Sequence, residues 1–115
     1  MGPKLRAAFE VELEAARVAA DSQDLSKAWR HLERAHILSQ AFAGPHIRVH
    51  VRMLSLGWRQ RDACEVVGQL ARIALAGPGS LLGRAPLGNT GGANVGIFTP
   101  MVVPTDLQQV LETDR

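Results

Sequence analysis

All four histidines of this 115-residue chain fall between His31 and His50, in the stretch HLERAHILSQAFAGPHIRVH. Imidazole can ligate a metal or move a proton near neutral pH, so such a cluster points to polar chemistry. Helical spacing sorts the four, because side chains three and four apart share a face. Over 25–42 the apolar stripe is Leu25, Ala28, Trp29, Leu32, Ala35, His36 and Ser39. His36 therefore points inward, with Glu33 on the border of the same face. His31 falls with Lys27, Arg30 and Arg34 on the solvated face. Over 45–59 the stripe is His46, Val49, His50, Met53, Leu54, Gly57 and Trp58. Both of its histidines face inward, one turn apart.

Two spacings carry the chemistry. Glu33-x-x-His36 offers a carboxylate and an imidazole as helical bundles do to one metal. His46-x-x-x-His50 is the two-imidazole spacing of helical metal sites, without the Glu that follows the first His in zinc proteases. Glu12 borders the inward stripe of the first helix, beside Phe9 and Ala16. The set Glu12, Glu33, His36, His46 and His50 suits a divalent transition ion: Zn(II), Fe(II), Mn(II) or Ni(II). A small polar ligand would suit the same groups. The competing reading makes the histidines core hydrogen-bond formers in a tetratricopeptide-like interaction module or homodimer. Each buried polar group left unpaired costs roughly 1–3 kcal/mol, and convergence on one ion or ligand would offset that for all of them together. Nothing in the chain specifies a reaction; were it an enzyme, a metal-activated water is the natural chemistry.

The elements that must position these groups are helices. Pro3 suits a first helical position, and that helix runs to about Ala20. Asp24 caps a second helix, Leu25 to about Phe42. Gly44 ends it and Pro45 opens a third, to about Arg59. Asp62 with Glu65 resembles a capping box for a fourth, over 63–76, which Gly77-Pro78 stops. Thr105 with Gln108 opens a short helix over 105–112. The expected fold is mainly α and a single domain, 1–115. Its 3–76 core is two antiparallel helical hairpins, loosely tetratricopeptide-like, with a Gly/Pro-rich wrap over 77–104. Within that wrap GNTGGANVG lacks the Lys-Ser/Thr of a P-loop and the spacing of a dinucleotide fingerprint. Its backbone amides with Asn89, Thr90 and Asn94 could still hold a polar ligand over the helical site.

Composition narrows the setting. Thirteen basic and 11 acidic side chains leave a net charge of +2, too little to imply a nucleic-acid or membrane partner. Cys64 is alone, which fits a reducing compartment. Glu10, Glu12 and Glu14 interrupt any signal-peptide core, and no apolar run reaches transmembrane length. These features lead us to expect a bacterial-type cytoplasmic protein.

Several stretches together resemble a known family. HLERAHILSQ, H-x-x-x-H-x-x-M, GW-x-x-R-D-x-x-E-V-x-G-Q, GNTGGANV and PMVVP-x-DL are similar to the bacterial domain of unknown function 3703 family. The resemblance is clearest from His31 to Leu107, and GNTGG is its most specific piece. It implies one coherent cytoplasmic domain that includes the Gly-rich segment. It implies no catalytic residue and no substrate.

Overall fold

The computed structural model describes residues 1–81 and 102–113. They form five helices: α1 (Pro3–Asp21), α2 (Leu25–Ser39), α3 (Ala43–Arg59), α4 (Ala63–Leu81) and α5 (Thr105–Thr113). No strand occurs among the described residues, so the fold is mainly α. Helix α1 lies along α2 and α3 along α4, with α2 joining the two pairs and α5 resting on α1 and α2.

The links within the two pairs share one design. After α1, the Gln23 amide bonds to the Ala20 carbonyl and the Asp24 amide to that of Ala19. After α3, Arg61 bonds to Trp58 and Asp62 to Gly57 in the same pattern. This is the Schellman arrangement, which satisfies carbonyls that a helix end would leave orphaned. Its left-handed position is held by Gln23 (φ 64°) and Arg61 (φ 55°), at a cost of roughly 1–2 kcal/mol each relative to right-handed backbone. In both links the following Asp also caps the next helix. The Asp24 carboxylate accepts from the Lys27 amide at 3.2 Å, and Asp62 from Glu65 at 3.0 Å.

Two boundaries and one cap differ from expectation. Helix α2 ends at Ser39, and Gly44 and Pro45 lie inside the first turn of α3 rather than between the helices. The missing Pro45 N–H costs nothing there, because the first four amides of a helix have no helical acceptor. Helix α4 continues through Gly77 and Pro78 to Leu81. Pro78 forfeits one ladder bond, to the carbonyl four residues back, but only the last turn lies beyond it. Helix α5 starts with Thr105 already helical, since Gln108 bonds to the Pro104 carbonyl. The Gln108 side chain reaches Glu112 instead of closing a capping box.

The core is aliphatic and Ala-rich, as the scarcity of aromatics requires. Phe9 and Leu13 of α1, Leu32 and Leu38 of α2, and Val49 and Met53 of α3 are buried, and Leu107 anchors α5. Each large side chain so buried stabilises the fold by about 1.5–3 kcal/mol. Trp58, expected in this core, is 73% exposed. The end of the α3 stripe turns through Leu56 and Gly57 instead, because α4 comes close there. A Cβ at Gly57 would sit 3.2 Å from Glu65 Cγ.

Candidate metal centre

His36 projects from the C-terminal half of α2, and His46 and His50 from successive turns of α3. All three are buried. Their Nε2 atoms lie 2.9 Å (His46–His36), 3.1 Å (His36–His50) and 3.1 Å (His46–His50) apart. The ring centres are farther apart, at 4.7–4.8 Å. Each ring therefore aims its Nε2 toward one common point. The two α3 histidines are four apart and so share a face, while α2 supplies the third ring across the helix interface.

The outer partner of His50 fixes its tautomer. His50 Nδ1 lies 2.6 Å from Gln69 Oε1, and Gln69 Nε2 donates to Glu65 Oε1 at 2.6 Å. A carboxylate only accepts, so the amide nitrogen must face Glu65 and the amide oxygen must face His50. Nδ1 of His50 then carries the proton, and its Nε2 lone pair is left pointing into the cluster. Metal-bound histidines are oriented by outer partners in this way. Gln69 is itself fully buried, and α4 supplies both Gln69 and Glu65.

Burial favours the neutral form of both α3 imidazoles. It pushes the His46 pKa down to about 4, with neighbouring His50 adding to the effect. His50 is lowered by burial as well; its bond to Gln69 works against this, and the Arg72 charge adds to it. Neutral imidazole with an available lone pair is the form that binds a metal ion.

The structure brings together three of the five expected ligands. Among the described residues, His36, His46 and His50 are the group of side chains whose donor atoms are close enough to hold one ion, all within 4.8 Å of each other. Glu12 is buried but engaged elsewhere. One carboxylate oxygen meets His31 Nδ1 at 2.7 Å and the other accepts from Arg34 Nε at 2.8 Å. Arg34 also pairs with Asp106, so this network ties α1, α2 and α5 together. His31 is thus a half-buried partner of Glu12, not a freely solvated residue. Glu33 stands outside the triad, half-buried, and its carboxyl pKa is raised by burial and by the nearby Glu65 carboxylate. Asn89, Thr90 and Asn94 lie outside the described residues.

Helical phase missed Gln69 and Glu65 as parts of the site. Their signal was the polar pair Glu65 and Gln69, four apart in the mainly apolar run EVVGQLARIAL, where a buried amide has to find a partner.

The fold and this cluster define a small helical protein organised around three buried, converging imidazoles. The chain belongs to the family described as protein of unknown function (DUF3703), whose model matches residues 3–111. No curated protein and no solved structure matches it. Among the described residues, no helix is long and apolar enough to cross a membrane.

Proposed function

We propose that the protein binds one divalent transition-metal ion through the Nε2 atoms of His36, His46 and His50. The convergence of the three nitrogens carries this reading. The three Nε2 atoms lie 2.9–3.1 Å from one another across two helices, and His50, whose Nδ1 faces the Gln69 amide oxygen, presents a lone pair among them. One cation could take a nitrogen lone pair from each of the three rings at once. Glu65 reaches the site through Gln69, and Glu33 lies near enough to Glu65 to feel its charge.

The test uses untagged protein. Elemental analysis is expected to find one equivalent of a first-row metal, or the apo protein to take one up from solution. A metal at a hundredfold excess over its Kd stabilises the fold by about 2.7 kcal/mol, so melting should fall on chelation. Apo protein whose melting ignores Zn(II), Ni(II), Mn(II) and Fe(II) refutes the reading.

One observation favours a second role. Trp58 and Val67 are strongly exposed and line one cleft where α3 meets α4, as a surface for a protein partner or a second copy would. Mass that rises with concentration, and no longer does so in Trp58→Ala, would support this role; a constant monomer mass would remove the homodimer.

A further inference from the structure

The spacing of the three nitrogens bears on which ion they hold, an inference that rests on the metal reading above. For two ligands at equal distance from an ion, the gap between them is set by that distance and the angle they subtend. Imidazole nitrogens bind zinc at about 2.0–2.1 Å. A tetrahedral angle at that length separates two nitrogens by about 3.3–3.4 Å, and a right angle by about 2.8–3.0 Å. The three separations in this cluster are 2.9, 3.1 and 3.1 Å. All fall short of the tetrahedral value and lie close to the right-angle one.

We infer that the triad caps one triangular face of a six-coordinate ion. Fe(II), Mn(II), Co(II) and Ni(II) accept that geometry readily, whereas zinc in a protein usually settles into a tetrahedron. The positions opposite the triad then go to oxygen ligands, either water or a small oxyanion. Two features position the α3 pair. His46 and His50 are held one turn apart on α3, and Gln69 holds the His50 ring from behind through a bond that Glu65 secures.

Cobalt(II) reports the geometry directly. The apo protein is loaded with one equivalent of Co(II), and its visible spectrum is recorded for wild type and for His31→Ala, whose ring is engaged with Glu12. Both should give weak pink absorption, as six-coordinate cobalt does, and Ni(II) should hold the site against equimolar Zn(II). Intense blue absorption from bound cobalt, or complete displacement of Ni(II) by Zn(II), overturns the facial assignment while leaving the metal reading intact. Failure to bind cobalt, nickel or zinc removes both.

Discussion

Acidification of the metal-free protein tests the burial of the triad most directly. His46 takes up its proton near pH 4 in the fold and near 6.5 in the unfolded chain. Above 6.5 both states are neutral and the full stability is present. As pH falls from 6.5 toward 4, the unfolded chain binds a proton that the fold refuses, so stability falls by about 1.36 kcal/mol per pH unit. Below 4 the fold also protonates and the loss levels off. Between pH 6.5 and 5 the His46 contribution is therefore about 2 kcal/mol. For a chain of this size that is a drop of about 8 °C in Tm. His50 is shifted the same way and adds to the fall. Glu33 works against it, since a carboxyl whose pKa is raised in the fold gains stability as pH falls. Comparison with His46→Phe cancels these shared contributions. The assay is thermal melting of chelator-treated wild type and His46→Phe from pH 7.5 to 5. The wild-type curve should fall more steeply than the variant curve, by about 2 kcal/mol over the window. Parallel curves would mean that His46 is not held neutral by the fold, and the reasoning fails.

Four further outcomes follow from named contacts. Gln69→Leu should lower metal affinity by about 10–100-fold, because His50 loses the partner that sets its tautomer; isothermal titration measures it, and unchanged affinity would contradict the role. His36→Ala and His50→Ala should each abolish the chelator-sensitive part of the Tm, while His31→Ala leaves it in place. Glu12→Gln should destabilise the fold by about 1–3 kcal/mol in urea melts, since it weakens the bonds to His31 and Arg34, yet leave metal stoichiometry unchanged. Gly57→Ala should weaken metal binding, because the new Cβ presses on Glu65 at 3.2 Å and Glu65 secures Gln69.

Much of the fold was legible because it depends on local chemistry. Asp24 and Asp62 were readable as caps because a capping carboxylate bonds to an amide only three residues on. The inward faces of α1 and α2 followed from apolar periodicity. Errors arose where two rules competed. Gly44-Pro45 carries both a stop and a start signal, and the start prevailed, since both residues fit the first turn of α3. Trp58 continued the α3 stripe by phase. What turned it outward was the close approach of α4 at Gly57, and that contact is invisible in the helix's own residues.

The site divides along the same line. Phase on single helices placed His36, His46 and His50 on inward faces, and the structure brings these three together. Phase placed Glu12 inward as well, and that is where it lies, yet it belongs to another network. Facing the interior constrains a side chain's direction but not its partner. Glu12 had two cationic or protonatable neighbours across the α1–α2 interface, in Arg34 and His31, and a carboxylate gains more from paired charge-assisted bonds than from pointing at neutral rings. The three imidazoles instead bring their Nε2 atoms within 2.9–3.1 Å of one another, with Gln69 behind His50. Electrostatics inside the core thus performed a sorting that periodicity could not. Acidic and basic groups paired off toward α1 and α5, and the three imidazoles collected between α2 and α3, backed by an amide from α4.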